Sequence, residues 1–232
     1  MNSNTYSAQT LSIIIPAYNE EHTLRDVINS ISLDFPHEII LVDDGSSDNT
    51  FEIAKVNPHV RAIRHILNRG YGAAVATGFE IAKGDIIVTI DADGQNDPQQ
   101  ISELIQPILS GDADIVVGSR YLDESNGLRV SLIKRIGEKL IGFVLQKRYG
   151  VKITNSQSGF KTIRKEVIKS LLPLTEERFG FNTELLVYAL KNGFRVVELP
   201  KKEVPRKYGK SKIKLFSDGF RILYALIKSI LG

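Results

Sequence analysis

The sequence predicts an α/β protein: a mainly parallel sheet of the kind that binds nucleotides at its carboxyl edge, flanked by helices and closed by a C-terminal amphipathic helix. Three observations carry that expectation. Short β-branched runs alternate with helical patterns through the first half. Asp-rich polar clusters follow directly on several of those runs, and the last twenty residues put apolar side chains at helical spacing.

The strands are expected at LSIII (11–15), EIILV (38–42), VRAIRH (60–65), DIIVTI (85–90) and ADIVVGS (113–119). Helices fill the gaps, starting near Glu20, Asp48, Tyr71 and Pro98. Asp97, Pro98 and Gln100 supply an N-cap, a first-turn proline and a capping-box partner, while Gly84 suits a left-handed position after a helix. Beyond Arg120 the pattern changes to a basic amphipathic segment over 131–148, then the turn-rich TNSQSGF stretch. A helix is expected at about 181–191, ended by Asn192 and Gly193, followed by a strand in FRVVELP. In the final helix Ile213, Phe216, Phe220, Leu223, Ile227 and Ile230 form one wide apolar face, with Lys214, Asp218, Arg221 and Lys228 opposite. Packing on the protein's own core is the common fate of such a face; contact with a membrane surface is the other.

With 232 residues, 42% of them hydrophobic and 25% charged, the chain reads as one catalytic domain over 11–210, preceded by a flexible tail (1–10) and followed by the helical segment 211–232. The tail lacks the basic start and apolar run of a signal peptide, and no apolar stretch reaches the roughly 18 to 20 residues that cross a bilayer. A cytoplasmic location follows as the expectation. With no cysteine, any metal must be held by oxygen or imidazole. A net charge of +3 does not imply nucleic acid, but seven basic residues and one acid lie between Lys201 and Lys214. Such a run is either a solvated face or a seat for an anionic partner.

In open α/β sheets ligands bind beyond the carboxyl ends of the strands, which gives weight to PAYNE (16–20), DDGSSD (43–48) and DADGQ (91–95). Asp91 and Asp93 are two apart after a very apolar strand, so their carboxylates share a face and repel unless a cation lies between them. Mg²⁺ or Mn²⁺, held by one or two carboxylates plus substrate phosphates, suits that set, and Gln95 adds a neutral oxygen. The alternative is a plain Asp-Gly turn. In DDGSSD, Ser46, Ser47 or Asp48 can cap the next helix, whereas Asp43 and Asp44 are not needed for capping and one of them can accept hydrogen bonds from a base or ribose. Tyr18 offers a stacking face and Glu20 a carboxylate. NRGYGAAVATG imitates a dinucleotide fingerprint, but Val75 stands where the third glycine belongs, so its glycines are read as serving tight helix entry and close backbone approach.

Together with LSIIIPAYNEE, EIILVDDGSSDNT, NRGYGAAVATG and DADIVVGSR, DADGQ resembles the pattern of glycosyltransferase family 2, of GT-A fold. The later NSQSGFK and VPRKYGKSK resemble its dolichyl or polyprenyl phosphate branch. That resemblance implies a nucleotide-diphosphate sugar donor such as GDP-mannose or UDP-glucose, a polyprenyl phosphate acceptor and a Mg²⁺ or Mn²⁺ cofactor. It implies nucleotide contacts at Pro16, Tyr18, Glu20, Val42, Asp44, Asp91 and Ala92, and metal ligands at Asp93 and Gln95. Arg120, Arg135 and Arg206 match arginines that hold the donor diphosphate or acceptor phosphate, with Ser211 and Lys212 in the loop before the last helix. Asp91, Asp93, Arg120 and Arg206 are thus the catalytic candidates. The basic run next to an amphipathic helix then implies peripheral contact with an anionic membrane face. Many relatives carry an acid where FGFNTELL has Asn182, which leaves Glu184 either as a base or as a helix-start charge. A family member acting on a saccharide hydroxyl, a catalytically silent nucleotide- or lipid-binding protein and a nucleotidyltransferase are the rival readings. The last needs a glycine-rich basic loop where PAYNE stands.

Overall fold

The computed structural model describes residues 9–122, 131–171, 174–209 and 215–231, with side chains in the last stretch from 218 onward. Seven strands form one sheet in the order β3-β2-β1-β4-β6-β5-β7: β1 Leu11–Ala17, β2 His37–Asp43, β3 Val60–Arg64, β4 Ile86–Thr89, β5 Ile115–Ser119, β6 Lys161–Arg164 and β7 Val196–Pro200. β1, β2, β3 and β4 run parallel, as do β5 and β7, while β6 is antiparallel to both of its neighbours. The mainly parallel expectation holds, with β6 unforeseen: KTIR is four residues long and follows a run of turn residues.

Two apolar layers sandwich the sheet. Ile14, Ile40, Val42, Ile87 and Val117 point to one, Ile13, Ile15, Leu41, Val88 and Val116 to the other, as the two-residue strand period demands. The first layer is covered by α3 (Tyr71–Ile81), α6 (Leu132–Tyr149), α7 (Lys165–Leu171) and α8 (Phe181–Lys191). The second is covered by α1 (Leu24–Ser30), α4 (Ile101–Leu104) and α5 (Gln106–Leu109), and α2 (Thr50–Lys55) lies beside β3. α9 (Leu215–Leu231) packs on α8 and α6.

Several local expectations need correction. Helix α1 starts at Leu24, after a turn that follows Glu20. The helix expected from Pro98 is a 3₁₀ turn (Pro98–Gln100) and the two short pieces α4 and α5, because Pro107 has no N–H for the ladder. Asp97 does cap it, accepting from Gln99 N–H at 3.0 Å, but Gln100 completes no capping box: its Oε1 accepts Lys202 N–H at 2.8 Å. Gly84 is not left-handed; it is required because a Cβ there would press on the backbone of Leu11 and Ser12. Thr10 is not loose, since its N–H and hydroxyl both donate to Asp85. Gly193, at φ 78°, does end α8.

The C-terminal helix docks by a mixed side, with Leu226 in the core and Ile222 and Ile230 packed against it beside smaller and polar residues. Asp218, Ala225, Leu226 and Ser229 are buried, whereas Phe220 is 73% exposed and Ile227 49%, with Leu223, Tyr224 and Leu231 also outward. Asp218, expected on the solvated side, is therefore inside, and Ile230 is half-buried. α6 leaves Leu132, Ile133, Ile136, Leu140 and Phe143 exposed along one face. Among the described residues no helix is long and apolar enough to cross a membrane.

Candidate active site

The polar clusters meet beyond the carboxyl ends of β1, β2 and β4. Asn19, left-handed at φ 53°, turns the PAYNE loop so that its N–H donates to Ser46 Oγ at 2.9 Å and its Oδ1 accepts Ser47 N–H at 2.8 Å. Ser46 and Ser47 thus stitch two loops together; the capping falls to Asp48, whose Oδ1 accepts Thr50 N–H at 3.0 Å. Asp43 is fully buried and bound by Ser46 and by Arg64 Nε at 3.1 Å, so its role is to fix the loop. Asp44 accepts from His65 Nδ1 at 2.8 Å, Arg69 N–H at 2.9 Å and Gly70 N–H at 2.7 Å. Gly70, at φ 116°, opens α3, and side chains at Gly70 or Gly72 would collide with the 176–178 backbone, which confirms close approach as the glycines' purpose.

Asp91 and Asp93 follow β4. Burial and then the neighbouring Asp93 charge push the Asp91 carboxyl up to about 6. Asp93 Oδ1 accepts Gln95 N–H at 3.0 Å, and Oδ2 receives the Arg206 guanidinium, whose Nη1 also reaches Glu20 Oε1 at 3.1 Å. Gln95 Nε2 donates to Val204 O at 3.2 Å. The 201–206 segment therefore lies across the DADGQ loop, tied by Val204 N–H to Gln95 O at 2.9 Å and by a bridge between Asn96 and Glu203. Arg120 joins this assembly through Glu203 Oε1 at 2.7 Å. Lys201 is buried, with Asn96 Oδ1 at 2.6 Å and Glu203 Oε2 at 3.0 Å, and burial lowers its pKa. The basic run is therefore not simply a solvated face.

Glu20, Asp91, Asp93, Gln95, Arg120 and Arg206 are brought together as the sequence suggested. Pro16, Val42 and Ala92 are buried, and Ala92 O accepts Thr23 Oγ1 at 2.7 Å. Tyr18 lies half-buried just after β1. Arg135 lines a groove of about 310 Å³ with Tyr121, Lys139, Phe143 and Lys152. Ser211 and Lys212 lie outside the described residues. Glu184 is buried and accepts Thr175 N–H and Glu176 N–H, both at 2.9 Å, so it secures the loop before α8.

Sequence reasoning missed Lys161, the first residue of β6. Its Nζ donates to Asn182 Oδ1 at 2.9 Å and to Ser158 O; burial depresses its pKa to about 7, and Asp91 works against that shift. A lysine in a short KTIR strand carries no signal of burial.

The donor set of Asp91, Asp93 and Gln95 is all oxygen, and the mutual repulsion of its two acids fits a hard divalent cation. Among the described residues no three acidic or imidazole side chains form a group that could hold a metal ion.

Residues 12–172 match the family model described as Glycosyl transferase family 2. The UDP-N-acetylglucosamine–dolichyl-phosphate N-acetylglucosaminyltransferase of Methanococcus voltae is 35% identical over 95% of this chain and 96% of its own length. An uncharacterized protein of Methanocaldococcus jannaschii is 35% identical over 97% of this chain and 93% of its own. The undecaprenyl-phosphate 4-deoxy-4-formamido-L-arabinose transferase of Edwardsiella ictaluri is 33% identical over 97% of this chain and 69% of its own. In fold, the chain resembles the glucosyl-3-phosphoglycerate synthase of Mycobacterium tuberculosis, solved with Mn²⁺, UDP-glucose and phosphoglyceric acid. Its TM-score is 0.75 and its identity 23%, covering 96% of this chain and 80% of that one, and the GT-A architecture is shared.

Proposed function

Since the chain belongs to glycosyl transferase family 2, we propose that it moves a hexose, with inversion, from a nucleotide-diphosphate sugar of the GDP-mannose or UDP-glucose kind to a dolichyl or polyprenyl phosphate. The observation that carries this reading is the pairing of two adjacent carboxylates, Asp91 and Asp93, with Arg120 and Arg206 at one mouth of the sheet. The named activities of the Methanococcus and Edwardsiella relatives support a polyprenyl phosphate acceptor.

Departure of a nucleoside diphosphate leaves negative charge, which preorganised cations stabilise most effectively in a site shielded from water. Arg120 and Arg206, each held by a carboxylate, would take phosphate oxygens in exchange. Asp93 and Gln95 would hold Mg²⁺ or Mn²⁺, which supplies further neutralisation of the diphosphate. A lipid monophosphate, with a second pKa of about 6, attacks as an oxyanion and needs no general base. Glu184, engaged by the 175–176 backbone, is free of that duty. Glu184→Gln is accordingly expected to keep kcat/KM within about threefold while costing about 1–3 kcal/mol in stability, read by steady-state kinetics and thermal melts.

The outward apolar faces of α6 and α9 carry exposed Lys139, Lys147, Arg221 and Lys228 nearby, the make-up of a surface that rests on anionic lipid. A peripheral position on the cytoplasmic face of a membrane is proposed on that ground. Phe220→Glu with Ile227→Glu should weaken co-sedimentation with phosphatidylglycerol vesicles at least about tenfold without lowering the melting temperature.

The test of function is a panel of nucleotide sugars offered with a short polyprenyl phosphate, with and without EDTA, reading the product that partitions into organic solvent. Transfer only to soluble saccharides moves the acceptor to a hydroxyl. Nucleotide binding with no product at all makes the protein a silent binding module.

A further inference from the structure

Asp44 is nearly filled from inside the protein. Its Oδ1 accepts both His65 Nδ1 at 2.8 Å and Arg69 N–H at 2.9 Å, and its Oδ2 accepts Gly70 N–H at 2.7 Å. A carboxylate offers about four lone-pair directions, two on each oxygen. By that count the described residues use both directions of Oδ1 and one of the two of Oδ2, on a side chain only 4% exposed.

The pair is held rigidly. A carboxylate only accepts, so His65 Nδ1 carries the hydrogen, and Nε2 lies 3.0 Å from Thr77 Oγ1 on α3. His65 N–H donates to Asp43 O at 2.8 Å, which fixes the backbone, and the ring is buried. Arg69 and Gly70 N–H groups belong to the loop that the 176–178 backbone clamps. Nothing in this arrangement lets Asp44 turn a second acceptor outward.

We propose that His65 is a positioning residue that makes the nucleotide site select a base presenting a single ring N–H, uracil or thymine, over guanine. The inference rests on the proposed reading that the chain binds a nucleotide sugar with Asp44 at its base. Guanine presents N1–H and an amino N–H side by side, a two-pronged edge that needs both carboxylate oxygens. One prong would meet Oδ1, whose acceptor directions His65 and Arg69 already use. Uracil presents N3–H between two carbonyls and needs one acceptor, which Oδ2 supplies. Adenine and cytosine turn a ring lone pair toward the carboxylate and are repelled. Donors left unpaired in a closed site are penalised heavily, which converts a hydrogen-bond count into selectivity.

UDP and GDP titrated calorimetrically into the full chain with Mn²⁺ test this, in wild type, His65→Ala and His65→Asn. Wild type should favour UDP by about tenfold or more, the scale of one misplaced hydrogen bond. His65→Ala, which reopens Oδ1, should bring the two within about threefold and raise the donor KM more than it lowers kcat. His65→Asn, whose amide N–H replaces Nδ1–H, should restore most of the preference. Wild type favouring GDP, or a ratio that His65→Ala leaves unchanged while the melting temperature falls, overturns the proposal. Binding of neither nucleotide overturns the nucleotide-sugar reading itself, an outcome distinct from failure of His65 alone.

Discussion

Arg206→Ala should lower kcat/KM about a hundred- to a thousandfold, the loss typical of removing one preorganised donor from developing negative charge. It should also tighten Mn²⁺ binding. Both effects follow from one contact: the guanidinium spans Glu20 and Asp93, with its side chain only 18% exposed. Arg206 is the cation that Asp93 holds, and a divalent ion bound there would compete with it for the same oxygen. Removing the guanidinium leaves Glu20, Asp91 and Asp93 less neutralised, so an added cation is attracted more strongly. On the proposed reading, transfer would suffer because a diphosphate would lose a bidentate partner. Arg206→Lys, with a point charge in place of a planar fork, should recover only part of the activity. Free Mn²⁺ measured by electron paramagnetic resonance and steady-state kinetics separate the two effects. A fully active Arg206→Ala with unchanged Mn²⁺ affinity would remove Arg206 from the site altogether.

The parts of this site that sequence made legible are those whose chemistry is local. Apolar runs of four to six residues marked β1, β2 and β4, and the acids directly after them had to lie at the sheet's carboxyl edge. The long-range parts were silent. No spacing rule told that Glu203 would reach Arg120, or that the 201–206 segment would cross the DADGQ loop, because those contacts join positions roughly eighty to a hundred and ten residues apart. Asp44 shows the limit from the other side: its acid character was readable, but its three internal donors were not. The last helix was legible as amphipathic, yet it docks on α8 by Ile222, Ala225, Leu226 and Ser229 and leaves Phe220, Leu223, Tyr224 and Ile227 outward. Hydropathy alone assigns the larger apolar side to the core, and here packing shape decided otherwise.

Gly159→Ala should abolish most transfer, by about a hundredfold or more, while the protein stays folded. The glycine's α-carbon lies against the Asp91 carboxylate, and a methyl there would overlap both oxygens and stand 2.6 Å from Cγ. The backbone has no easy retreat. The backbone around Gly159 is pinned by Thr89 Oγ1 donating to its carbonyl at 2.7 Å and by Gly118 N–H donating to Phe160 O at 2.9 Å. The carboxylate must therefore swing away, and misplacement of a reacting group by about 1 Å costs on the order of 10²-fold. Overpacking of this kind costs about 1–3 kcal/mol, and for a domain of this size each kcal/mol lowers the melting temperature by about 2–4 °C. Asp91→Ala in the same background removes the collision: the melting temperature of the double variant should rise above that of Gly159→Ala, while activity stays lost. Wild-type transfer by Gly159→Ala would mean that Asp91 can leave its place without consequence, and the catalytic importance of that carboxylate would fall with it.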